Sequence, residues 1–229
     1  MAKSPPPRFE RAFTLIELLV VIVTIGILVA IATPVFNSVL NRAKATKDMS
    51  NLRQIGIVMQ TYLNDKDQIL PATATWPGTT TTPVLYPKYI GTRKVFQSPF
   101  DKRPACESDT LCTVPVSYSI NHNMYDATVG INGNMLKVVS PASTFLMAPT
   151  YNGNPASAAS WTGNAGNAPD LSVGGGAGET TGTHSSGRQI NVLFCDLHAE
   201  TVTFGPATTE GTYKDYQLPL GVKHWDPRQ

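Results

Sequence analysis

From Leu18 to Asn41 the chain carries no charged residue, and from Leu18 to Thr33 it is nearly all Leu, Ile, Val and Ala. About twenty apolar residues, at about 1.5 Å of helical rise each, cross the ~30 Å hydrocarbon core of a bilayer. The run therefore predicts a transmembrane helix. Glu17 stands at its entrance. An ionised carboxylate in hydrocarbon costs about 2.5–3.5 kcal/mol even on lenient insertion scales, so it calls for a partner. Snorkelling to the headgroups is the simpler account, but a carboxylate snorkels poorly beside Lys or Arg. A secretory signal peptide would have a core of about 7–15 residues and a small-residue cleavage site. This run is longer, and no A-x-A site closes it.

Beyond Pro34 the pattern turns one-sided. Val35, Val39, Ala43, Leu52, Ile55, Met59 and Tyr62 recur largely at steps of three and four, and Arg42, Lys44, Lys47, Asp48 and Arg53 fall on other faces. One helix is predicted from about Thr14 to Asn64, with its later stripe laid on the domain that follows. Pro34 lacks an N–H and is expected to kink it, and Gly26 is a second weak point. Up to Ala12 the chain has Lys3, Arg8 and Arg11 against Glu10, and the remainder balances to zero. No basic face remains for nucleic acid, and none is expected as a partner.

The segment "RAFTLIELLVVIVTIGILVAIATP" resembles the N-terminal signature of type IV pilins and of the pseudopilins of type II secretion. That resemblance implies a leader, residues 1–12, cut by a prepilin peptidase between Ala12 and Phe13. It also implies N-methylation of Phe13 and assembly of the apolar helices into a filament. Glu17 matches the family's glutamate, which neutralises the amine of a neighbouring subunit, and Pro34 matches its kink proline. The family usually has Gly before the cut, where this chain has Ala12.

After Gln68 the texture becomes rich in Pro, Gly, Thr, Ser and Asn. "TVPVSYSINHNMYD" predicts a strand at Val114–Ile120, and "STFLMAPTY" predicts a second. "QINVLFCDLHAETVTFG" predicts a hairpin from Gln189–Cys195 and Ala199–Phe204, turning at Asp196–His198. Residues 152–183 read as a long surface loop. The fold class expected is α+β, a long N-terminal helix packed on a small antiparallel sheet. Its segments are a leader (1–12), a membrane and assembly helix (13–34), its amphipathic continuation (35–66) and a β-rich extracytoplasmic domain (67–229). "SPFDKRP", "SYSINHNM", "PASTFLMAPT" and "HSSGRQINVLFCDLHAETV" resemble prepilin-type proteins that carry a C-terminal H-X9-DG element. Here His184 and Asp196 enclose eleven residues, and Leu197 stands in place of the Gly.

Cys106 and Cys112 share one polar loop and predict a disulfide in an exported domain, whereas Cys195 in "NVLFC" reads as a small buried hydrophobe. His184, Cys195, Asp196 and His198 raise two chemical readings. A Cys–His hydrolase is disfavoured because Cys195 and Asp196 would point to opposite faces of a strand. An ion is the other: Ca²⁺ on Asp196 with loop carbonyls, or a transition metal on Asp196, His184 and His198. Asp196 as a turn residue bonding backbone N–H groups is favoured over both. The scattered Trp and Tyr residues read as core.

The expected function is that of a non-enzymatic structural subunit. It would be anchored once in a bacterial inner membrane with its domain in the periplasm or at the cell surface. Its expected partners are the prepilin peptidase, the assembly platform and other pilin-like subunits. A type II secretion pseudopilin is the first reading. A minor or adhesive pilin, or a membrane-anchored binding or hydrolase domain, is the alternative.

Overall fold

A computed structural model describes residues 14–71, 84–101, 116–125, 131–149, 183–185, 189–203 and 227–228. Ala12, Phe13, Cys106, Cys112, Trp76, Trp161, Trp225 and nearly all of the 152–183 stretch lie outside the described residues.

One α-helix, α1, runs Leu15–Asp65, with Pro34 as an internal residue. Four strands follow: β1 (Tyr118–Ile120), β2 (Phe145–Pro149), β3 (Gln189–Phe194) and β4 (Ala199–Thr203). They form an antiparallel meander in the order β1-β2-β3-β4. The fold is α+β. Each strand is shorter than its apolar pattern: β3 stops before Cys195, and β1 begins two residues after Val116. The pairing register shifts between Phe145 and Met147. An irregularity there lets the consecutive Leu146 and Met147 both join the cluster that α1 packs against.

The chain divides into two compact units, Met1–Asn41 and Arg42–Gln229. In the first, the described part of α1 is apolar on every side and exposed, from Leu15 (88%) through Ile31 (65%) to Leu40 (57%). At about 1 kcal/mol for each half-exposed apolar side chain, it forgoes on the order of 15 kcal/mol of burial, as much as the whole stability of a domain. By length and composition this helix can cross a membrane. Within it the side chains of Thr24 and Thr33 donate to the carbonyls of Val21 and Val29, so their hydroxyls make no demand on the surroundings.

The second unit starts eight residues beyond Pro34, and the inward stripe starts later still. Val35, Val39 and Ala43 are exposed, contrary to the pattern read from sequence. The buried residues are Asp48, Asn51, Leu52, Ile55, Gly56, Met59 and Leu63. Here the sequence expectation is corrected: Asp48 lies on the buried face, four residues before Leu52. Leu52, Ile55, Met59 and Leu63 pack with Tyr118, Ile120, Leu146, Met147, Leu193 and Cys195. The other face of the sheet carries Phe145, Ala148, Ile190, Val192, Phe194 and Val202. β3 is thus buried on both faces: Ile190, Val192 and Phe194 lie in this second cluster, while Leu193 alternates onto the face against α1.

At Gly56 the helix comes close to the β3–β4 turn. A Cβ there would lie 3.1 Å from the carbonyl oxygen of Leu197 and 3.2 Å from Leu193 Cδ1. Past its end, Asp67 and Gln68 take positive φ, and the Gln68 N–H closes on the Leu63 carbonyl.

Candidate functional site

The first site is the start of α1. Thr14 and Glu17 form a reciprocal cap: the Glu17 N–H donates to Thr14 Oγ1 (3.3 Å), while Glu17 Oε2 accepts from the Thr14 N–H (2.9 Å) and hydroxyl (2.7 Å). This is the capping box of a T-x-x-E sequence, which satisfies donors at a helix N-terminus and sets a negative charge against the positive end of the dipole. The signature stands in "TLIE", and the sequence reading passed over it for the charge alone. Glu17 therefore has a partner inside its own chain. Among the described residues only Oε2 is engaged, by two neutral donors.

The second site is the polar seam that holds α1 to the sheet. Asp48 has no exposed surface. Its Oδ1 accepts from the hydroxyls of Ser98 and Tyr118, each at 2.5 Å, and its Oδ2 accepts from the side-chain amide of Asn191 at 2.9 Å. The same amide also reaches the Ala45 carbonyl (3.0 Å), and Thr201 donates to Asn191 Oδ1 (2.7 Å). Ser117 receives the Ser98 N–H and donates to Asp101, while Asn51 donates to the Gln97 carbonyl. One carboxylate thus joins the helix, β1, β3 and the 97–101 segment.

Its three donors are neutral. Burial pushes the Asp48 carboxyl above its ordinary range, with the hydrogen bonds and His184 pulling the other way. Tyr118 is pushed well up by burial and by the adjacent carboxylate. His184 is 8% exposed, stacks on Phe100 at 5.5 Å, and is held below its ordinary value by burial against the opposing pull of Asp48. Nothing in the amphipathic pattern marked Asp48 as inward; its spacing of four from Leu52 and seven from Ile55 was the available signal.

The third cluster is the β3–β4 turn. Asp196 Oδ1 accepts from the backbone N–H of His198 at 3.1 Å and from its ring Nδ1. The ring stacks on Phe194 at 4.2 Å, and Glu200 approaches Nε2 at 3.7 Å. His184 is elsewhere: it pairs with Gln189 at the opposite end of β3. A six-residue strand at about 3.3 Å per residue separates it from Asp196 and His198. The proposed three-residue metal set is therefore not brought together. Among the described residues no group of three or more His, Cys, Asp or Glu is placed to hold a metal ion. Cys195 is buried, its thiol pushed up by that burial, and does not meet His184. Asp196 does what a turn residue does. Leu197 takes φ 69°, the left-handed conformation that favours glycine, at the position where the H-X9-DG element carries Gly.

Comparison with known proteins bears on the first site. Residues 7–33 match the family model described as the prokaryotic N-terminal methylation motif. The chain is 40% identical over 59 residues to the type IV major pilin protein PilA of Myxococcus xanthus (strain DK1622), 26% of this chain and 27% of that protein. It is 39% identical over 56 residues to two type IV major fimbrial proteins FimA of Dichelobacter nodosus, 24% of this chain and 36% or 35% of theirs. The match thus spans between about a quarter and a third of each relative's length. No solved structure matches the chain.

Proposed function

We propose that this chain is a structural subunit of a type IV pilin-like filament, with no enzymatic step of its own. A prepilin peptidase removes residues 1–12, Phe13 becomes the methylated N-terminus, and α1 holds the chain in the inner membrane until assembly. The second unit then faces the periplasm or the cell surface. The observation that carries the reading is a helix with its apolar residues exposed all round and one carboxylate at its entrance, lying largely inside the matched motif. A surface of that kind is stable in lipid or against copies of itself, and in neither is a lone charge cheap.

Glu17 pairs with the Phe13 amine of a neighbouring subunit through the oxygen its own cap does not use. A buried pair of this kind fixes register more reliably than it adds stability. Of the filaments the resemblance allows, the relatives' names favour a pilus subunit over a secretion pseudopilin. A deletion strain separates these, since loss of surface filaments or of exported protein reads out one or the other.

The test of processing is the mass of the N-terminal peptide from membrane-extracted protein made with the native peptidase. A methylated chain beginning at Phe13 is expected. A chain beginning at Met1 overturns the processed subunit and leaves an uncut anchor.

A further inference from the structure

We propose that Asn132–Gly133 is a site of spontaneous succinimide chemistry that the fold holds shut: it is inert while the 131–134 turn is closed and converts to Asp and isoaspartate when the turn opens. In that reaction the Gly133 nitrogen gives up its proton and attacks the side-chain carbonyl carbon of Asn132. A bond from that nitrogen to Asn132 Cγ forms, the bond from Cγ to Nδ2 breaks, and ammonia leaves. Water then opens the ring at either carbonyl. Asn-Gly is the pair most prone to it, because glycine has no side chain in the way of the attack.

The pair sits at the centre of a tight turn. φ is 50° at Asn132 and 73° at Gly133, and the Asn134 N–H closes on the Ile131 carbonyl at 3.0 Å. This is the type I′ geometry that Asn-Gly favours. Asn132 is exposed, so its amide meets water. The nucleophile does not. Gly133 is buried, its N–H donates to the Met124 carbonyl at 2.6 Å, and its carbonyl accepts from the Leu70 N–H at 2.8 Å.

The stretch just past α1 holds the turn in place. The Met135 N–H donates to the Gln68 carbonyl at 2.9 Å, and the Tyr125 hydroxyl donates to the Pro71 carbonyl at 2.5 Å. The Tyr125 ring also lies against the glycine, where a Cβ would meet it at 3.4 Å. A nitrogen whose hydrogen is held by a carbonyl is neither deprotonated nor free to swing towards Cγ until local opening releases it. Conversion at Asn132 therefore reports how often this clasp lets go.

The chain carries its own yardstick. Asn152–Gly153, its other Asn-Gly pair, is likewise followed by Asn, and tryptic cleavage at Lys137 puts the two on separate peptides. Detergent-solubilised full-length chain is incubated at mildly alkaline pH, folded or in urea, and each peptide is followed by mass and isoaspartate content. In urea the two sites should convert at similar rates. In the folded chain Asn132 should slow by about tenfold or more. Tyr125→Phe, which loses the bond to Pro71, should raise the folded rate by about two- to tenfold, the worth of one hydrogen bond. Exchange of the Gly133 amide should rise by the same factor. Equal Asn132 rates in folded and unfolded chain would overturn the gate, and no conversion in urea would overturn the site. A folded rate that Tyr125→Phe leaves unchanged, or raises without faster Gly133 exchange, would overturn the assignment of the gate to this N–H.

Discussion

Replacing Asp48 by alanine strips the acceptor from two hydroxyls and an amide in a dry seam and leaves a void beside Tyr118. Unpaired buried donors cost about 1–3 kcal/mol each in such settings, so a loss of about 3 kcal/mol or more is expected in a urea titration of the detergent-solubilised chain. Asp48→Asn is a different experiment, because Ser98 and Tyr118 can rotate their hydroxyls to accept. The folded Asp48 carboxyl lies above its ordinary 3.8, so its contribution is full below that value and declines as pH rises through the folded value. His184 is held below its ordinary 6.5, so its contribution is present above that pH and is lost on acidification. Asp48→Asn should therefore flatten the decline on the Asp48 side while keeping the His184 loss in acid. An unchanged pH profile in the variant would show that the buried carboxyl titrates as it does in the unfolded chain.

Among the elements, α1 passes close over the β3–β4 turn at Gly56. Ala at position 56 gains about 1 kcal/mol of helix propensity over Gly, but its Cβ must displace the Leu197 carbonyl by a few tenths of an ångström. The two effects oppose each other, and Gly56→Ala should leave the unfolding midpoint nearly unchanged. Gly56→Leu has no such balance and should cost about 2–3 kcal/mol by overpacking. A stable Gly56→Leu chain would mean that the turn yields freely. The helix, the positions of the four strands and the hairpin turn at Asp196–His198 were legible, because long apolar periodicity and alternating β-branched runs have few competing readings. Asp48 was not. A charged residue beside Lys44 and Lys47 reads as solvated unless its donors are known, and Ser98, Tyr118 and Asn191 are 50 to 143 residues away. Val35 and Val39 misled for the opposite reason. Their spacing is amphipathic, but among the described residues both side chains are exposed.

For the molecule as a whole, Glu17→Ala should leave leader removal intact and abolish filament formation, scored by N-terminal mass and electron microscopy. A variant that assembles normally would sink the pairing between subunits. The bond from Asn191 to Asp48 closes a loop of 143 residues. At about 5–20 residues per second of synthesis, Asn191 emerges roughly 7–30 s after Asp48. The helix is therefore synthesised well before its partner strand exists. Only when β3 arrives is the water around the carboxylate exchanged for the amide. A chain cut short before Asn191 therefore has the helix and the hydroxyls of Ser98 and Tyr118, but lacks the amide that Asp48 Oδ2 accepts from.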